Sequence, residues 1–404
     1  ILRFLIGTIN YGGRITDDKD NKLISAILAN YFNHEVFQEN YSFSDDGKYY
    51  IPKYNTVEEV FSYLDKMPLD DGPDIFGLHH NANITLQKKL VAEFMDPLIS
   101  IQPRTGGSYS RKPDEIVLEV KSTIQNKFAP IQELDLNSNS PSIYTLDPSN
   151  PSIKKRSSMG NFLLQEAEKF NYLLGIIKST LEQLELAVKG LLVMSPDLEL
   201  VYYSFLNNKV PVKWEENAYL SLKPLSSWVS NLVERFTFMR KWLDEGNITS
   251  FWVSSFFFPQ GFNTAVLQTH SRITNIAIDD LTFDTKIFDL YKDEIEKKET
   301  RGVVIHGLYI QGASWNIKDK RIREPSPGEL HFEMPCIHLN PIEKIKLKTE
   351  GHYECPLYKT STRAGILSTT GHSTNFVMYL YLKSIEESDH WIRRGAALLT
   401  QLDS

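Results

Sequence analysis

The sequence predicts an α+β chain, with a helical first two-thirds that includes one long helix, followed by a small antiparallel β-barrel-like unit. Three observations predict it. Through the middle of the chain, apolar residues recur at steps of three and four, the spacing of one buried helix face. Beyond Ile273, short alternating runs such as Val303–Ile310 and Phe376–Leu382 sit between Gly, Pro and Asp-Lys turns, as antiparallel strands do. Hydrophobic residues make up 41% and charged residues 24% of the 404 positions, enough apolar material for a large core.

Residues 1 to about 36 read as helix, turn, helix. Tyr11-Gly12-Gly13-Arg14 is the breaker, and Asp17, Asp18 and Asp20 suit the first turn of the second helix. Residues 40–56 are turn-rich, a short helix is expected over Val57–Lys66, and Leu69–Asn83 reads as loop. Residues 84–100 are again helical, Gln102–Lys112 is expected to be a mobile loop, and residues 135–158 an irregular connector.

The long helix is expected from Asn161 to Met194, where Ser195-Pro196 would end it. Its stripe is Leu163, Ala167, Phe170, Leu174, Ile177, Leu181, Leu184, Val188 and Leu191. At 1.5 Å per residue it would run ~50 Å. The same spacing serves a dimeric coiled coil, but a helix lying across several neighbours of its own chain is the reading taken. Further helices follow Pro224, through Trp228, Leu232, Phe236 and Met239, and follow Pro259.

A net charge of -7 gives no basic footprint for nucleic acid or for an anionic membrane surface. Two cysteines, Cys336 and Cys355, point to a reducing compartment, and no apolar run approaches the ~20 residues that span a bilayer. An intracellular, soluble chain is expected. Ile1 opens directly on apolar sequence, which reads as a cut through a longer chain.

Catalytic constellations are weak. Gly365–Ser373 has one residue too many between its glycines for a phosphate-cradling loop, and His372 stands where lysine is needed. His331-Phe332-Glu333 with Cys336 echoes a zinc deaminase, yet the second Cys pair is missing and strand alternation turns Cys336 away. His79-His80 has no third ligand at a useful spacing. No catalytic, cofactor or metal residue is assigned. Stoichiometric zinc would support the rival reading, a metal-dependent hydrolase on His331, Glu333 and Cys336. A third reading is a free-standing binding module.

Read as whole phrases, the same segments resemble the end of dynein heavy chains. Tyr11-Gly12-Gly13-Arg14-Ile15-Thr16-Asp17-Asp18 resembles the phrase closing the lid of the sixth AAA module. Phe76-Gly77-Leu78-His79, Gly190–Ser195, and Phe257, Pro259, Gln260 and Gly261 within Phe256–Phe262 are similar to family phrases in order. So are Gly312 and Trp315 within Gly307–Trp315, Cys355–Thr360, and Thr370, Gly371, His372 and Ser373 within Leu367–Val377. Lys19, Asn263 and Ser314 depart from a common Trp, Leu and Arg. The wording at Leu367–Val377 and His390–Ala396 is closer to axonemal than to cytoplasmic dyneins.

The resemblance implies residues 1–40 as the end of the AAA lid, 41–272 as the helical part of the carboxyl-terminal domain, and 273–404 as its β-rich part. It implies a non-catalytic domain that packs on the AAA ring of its own heavy chain and tunes the force and processivity of a minus-end-directed microtubule motor. ATP and magnesium would belong to upstream modules, and microtubules and intermediate and light chains would be met through the parent. The Leu163–Leu191 stripe is the candidate ring-packing surface, in a ciliary or flagellar axoneme.

Overall fold

The computed structural model of the chain describes every residue except 14, 16, 45–46, 52, 54–55, 102–111, 138–139, 141, 148–149, 247, 366–372 and 404. The loop expected at 102–112 therefore lies almost wholly outside the described residues, as do Arg14, Thr370, Gly371 and His372.

Helix, turn and helix open the chain as expected. A helical stretch over Leu2–Asn10 ends in π geometry, and Asp17 then caps the Asp18–Tyr31 helix by accepting the Lys19 amide at 2.8 Å. Gly12 is required there, since a Cβ would lie 2.0 Å from the Thr8 carbonyl oxygen. Thr56 and Glu59 form a capping box on Val57–Leu64. Asn81–Ile101 follows, and Pro113–Phe128 is a helix beyond those expected from the sequence, although Val117, Val120, Ile124 and Phe128 recur at helical steps. The connector at 135–158 contains a hairpin, β1 (Tyr144–Asp147) and β2 (Asn150–Arg156).

The long helix runs from Ser158 to Val188, 31 residues, capped by the Ser157 hydroxyl accepting the Gly160 amide. It stops six residues short of Met194. Gly190 adopts φ +74, its amide reaches Ala187 O at 3.0 Å, and the Leu191 amide reaches Leu186 O at 2.8 Å. This left-handed cap satisfies the last carbonyls and turns the backbone out of the helix. Ser195-Pro196 begins the next helix, Pro196–Leu206, with Ser195 accepting the Leu198 amide.

The stripe packs on this chain's own elements, which corrects its assignment as a ring-packing surface. From Leu163 to Leu184 all seven stripe residues are buried in one core with Val201, Leu232, Phe236 and Phe262, whereas Val188 is only partly covered and Leu191 is 73% exposed. Phe170 meets Phe236 at 5.0 Å and Phe257 at 4.9 Å between ring centroids. Leu225–Glu245 and Pro259–Thr274 form where expected and close over this face.

The strands form two open sheets, not a closed barrel, and neither sheet is purely antiparallel. The first has the order β3 (Phe251–Trp252), β5 (Val303–His306), β10 (Ile337–Glu343), β4 (Leu281–Ile287), with β3 parallel to β5. The second has the order β12 (Phe376–Lys383), β11 (His352–Tyr358), β13 (Ala397–Leu399), β6 (Tyr309–Gln311), β9 (His331–Glu333). In it, β13 arrives after the Ser388–Arg393 helix and inserts parallel to β11. A crossover helix permits that parallel insertion, which a run of hairpins does not. β7 (Ser314–Asn316) and β8 (Arg321–Arg323) make a separate hairpin.

Candidate functional site

The catalytic candidates do not assemble. His331 and Glu333 stay on the short edge strand β9, while Cys336 turns into the core. Among the described residues no group of three His, Cys, Asp or Glu side chains is placed to hold a metal. Burial pushes the Cys336 thiol up to about 11 and raises Cys355 further, so neither is a thiolate at neutral pH. His79 and His80 stack on each other at 4.1 Å, and His79 Nδ1 accepts the Asn81 amide.

Polar groups converge instead at the junction between the amino-terminal helices and the sheets. Asn81, at the head of Asn81–Ile101, accepts the Gly328 amide at 2.9 Å and donates to Ser326 O at 2.8 Å. Arg394 donates to Gly77 O at 2.8 Å and to Glu324 Oε1 at 2.8 Å, and His390 Nε2 bonds the same oxygen at 2.6 Å. On the other flank the Ser373 amide donates to Asp17 at 3.3 Å, and Lys22 pairs with Glu354 at 2.9 Å. The Lys19 ammonium lies 4.1 Å from the Phe376 ring centroid, so the lysine that stands where the family commonly has tryptophan still packs on an aromatic face.

The family phrases serve packing. Glu166, buried within the long helix, accepts the Phe257 amide at 2.6 Å and the Phe258 amide at 3.1 Å, anchoring the turn into Pro259–Thr274. Pro259 opens that helix, Gln260 donates to Phe376 O at 2.7 Å, and a Cβ on Gly261 would meet the Phe258 ring at 2.6 Å. Gly312 adopts φ +75 with Arg394 O 2.5 Å from where its Cβ would be, and Trp315 is buried. Ser373 donates to Arg363 O at 3.0 Å and accepts the Asn375 amide, a local role for this part of the Tyr358–Val377 phrase. Tyr11 is exposed and Gly13 faces open space. Sequence reasoning missed Glu166 and Arg235, although each interrupts an apolar row at core spacing (Leu163-Glu166-Ala167-Phe170 and Leu232-Arg235-Phe236-Met239).

Three junction carboxylates make the contact acid-sensitive. Burial pushes Asp17, Glu324 and Glu329 up, but stronger opposing effects leave each below its ordinary value. Those effects are the Lys19 contacts for Asp17, Arg394 and His390 for Glu324, and the Ser326 amide, Ser314 hydroxyl and Arg323 for Glu329. A carboxyl lowered in the folded state contributes stability above its unfolded value, and that contribution is lost as pH falls through the folded value. Below about pH 4 the Gly328 and Ser373 amides should therefore lose hydrogen-exchange protection before the Ser158–Val188 helix does, after correction for intrinsic rates. Simultaneous loss would contradict the assignment.

Fold and junction together define a chain in which amino-terminal helices are tied by hydrogen bonds and ion pairs to a larger α+β body. The comparisons with known proteins agree. A family model described as dynein heavy chain AAA lid domain matches residues 1–82, and one for the C-terminal domain of the dynein heavy chain matches residues 88–400. The protein is 39% identical to dynein axonemal heavy chain 6 of Homo sapiens over 422 residues, covering 99% of this chain and 10% of that protein. It is 40% identical to dynein axonemal heavy chain 1 of Mus musculus and 37% to dynein axonemal heavy chain 3 of Homo sapiens, with 100% of this chain and 9% and 10% of those proteins covered. The chain belongs to the dynein heavy chain family and spans about a tenth of the length of these relatives. Gly77 and Asn81 lie in the stretch matched by the lid model, and Arg394 and Gly328 in that matched by the C-terminal model, so the bonds from Arg394 to Gly77 and from Gly328 to Asn81 join the two matched stretches.

Proposed function

We propose that this protein is the non-catalytic closing segment of an axonemal dynein heavy chain, packing on the AAA ring of its own parent and tuning the force and processivity of an ATP-driven, minus-end-directed microtubule motor. ATP and magnesium then act at upstream modules, microtubules and intermediate and light chains are met through the parent, and the setting is a ciliary or flagellar axoneme.

The observation that carries this reading is the apolar surface of Asn81–Ile101. Ile84, Leu90, Val91, Phe94, Met95 and Leu98 are all exposed, Leu90 at 54% and Phe94 at 68%, and Phe61, Leu64 and Leu69 are also exposed. Every residue from Ile84 to Met95 is exposed, and a helix that shows so many apolar side chains to solvent belongs against a partner. Each such side chain contributes ~1.5–3 kcal/mol when covered. In the full heavy chain, Leu90→Glu with Phe94→Glu should lower stall force in an optical trap while basal ATP turnover persists, because on this reading ATP acts at upstream modules. An unchanged stall force would defeat the proposal.

A further inference from the structure

Among the described residues Arg363 has no carboxylate partner. It is partly buried beside β6 and donates from Nη2 to the neutral Gln311 amide oxygen at 2.8 Å, and its cation lies 5.8 Å from the Tyr358 ring centroid. Among the described residues no carboxylate comes within ion-pair distance of it. Arg363 faces two grooves at the junction, one of about 380 Å³ and one of about 910 Å³. Glu329, which lines the smaller groove with it, is engaged by Arg323 and Ser314, and Asp403 by the Ser361 hydroxyl; Asp17, Asp20, Glu354 and Asp389 line the larger groove. The smaller is walled by Leu78, Ala82, Leu86 and Leu330, and Lys89, Arg394 and the Arg323-paired Glu329 also line it. A cation kept from bulk water among apolar walls is costly unless an anion meets it.

We propose that the smaller groove receives an acidic side chain, carried on an apolar segment of the same heavy chain upstream of residue 1, and that its carboxylate is held by the Arg363 fork. The planar guanidinium matches a carboxylate through two parallel hydrogen bonds, and the apolar walls suit a peptide better than a heavily hydrated free anion. The groove sits where the lid match meets the carboxyl-terminal match, and about nine-tenths of the length of the relatives lies outside these 404 residues. The inference rests on the ring-packing reading and names one of its contacts.

The test uses the full-length protein with Arg363→Lys in place, treated with a zero-length carbodiimide and mapped by mass spectrometry. Arginine does not react, so the wild-type protein supplies the blank. The Lys22–Glu354 pair at 2.9 Å supplies an internal link that forms when the junction is folded. The expected result is a link from position 363 to an Asp or Glu upstream of residue 1, present in the variant and absent from wild type. With the Lys22–Glu354 link in place, no link at 363, or links only to residues 1–404 or to an accessory subunit, overturns the proposal. If Lys88 or Lys89 joins upstream residues while position 363 does not, ring packing survives and the Arg363 contact alone fails. Absence of any upstream link counts against both.

Discussion

Leu174→Ala should destabilise the protein by about 2–5 kcal/mol, and Leu174→Glu or Ile177→Glu should prevent the carboxyl-terminal domain from folding. Both side chains are wholly buried on the inner face of the long helix, surrounded by other elements of the same chain. Truncation leaves a cavity that close-packed aromatic neighbours cannot collapse to fill, and a glutamate there would be a charge without a partner. Leu191 is the control: it continues the same sequence period but lies past the Gly190 cap and is 73% exposed, so Leu191→Ala should stay within about 0.5 kcal/mol of wild type. Urea unfolding followed by helical dichroism checks both. Equally small effects at positions 174 and 191 would mean that the stripe faces outward along its whole length, as its sequence period allows.

The second large effect is expected at Arg235. Its guanidinium is buried, donates to Asn231 Oδ1 at 2.7 Å, to Ser254 O and to Gln401 Oε1 at 3.2 Å, and lies 3.5 Å from the centroid of the Tyr219 ring. It ties the Leu225–Glu245 helix to the segment after β3 and to the carboxyl-terminal residues. Arg235→Met strands the Ser254 and Gln401 acceptors at about 1–3 kcal/mol each, while Asn231 keeps the Tyr219 hydroxyl, so a loss of about 2 kcal/mol or more is expected. Arg235→Lys should recover only part of it, because an ammonium cannot reproduce the fork. A pH signature accompanies the loss. Burial already raises the Glu166 carboxyl, with Arg235 and Lys169 among the groups that oppose it. A raised carboxyl gives stability that is complete below its unfolded value and lost as pH rises through the folded value. Removing Arg235 should make that decline steeper in thermal unfolding from pH 4 upward. A variant as stable as wild type with an unchanged pH profile would contradict this role.

Much of the fold was legible because local chemistry announces it. Asp17 and Pro259 each open a helix as their residue types require, and the Leu163–Leu184 period marks a buried face. The errors also have local causes. Gly190 carried the stop signal for the long helix, whereas Ser195-Pro196, taken as a stop, is the cap and first residue of the next helix. The Pro113–Phe128 helix places Lys121 in its buried row with Val117, Ile124 and Phe128, so a lysine masks the apolar period; its ammonium reaches Gln125 and Glu185. Period alone could not say whether the long stripe meets its own domain or another. Strand alternation gave β12 but not the parallel insertion of β13. The junction was invisible, since Asn81 and Gly328, or Gly77 and Arg394, meet across hundreds of positions that carry no local mark of pairing.

The central claim, that the outer face of Asn81–Ile101 is a seat for the rest of the heavy chain, is tested most directly by hydroxyl-radical footprinting of the intact full-length protein. Ile345, 90% exposed, calibrates a free side chain, and the wholly buried Phe170 a protected one. Oxidation of Leu90, Phe94 and Met95 close to the Phe170 level is the predicted result. Oxidation at the Ile345 level would mean that nothing covers this helix, and the ring-packing account would be contradicted.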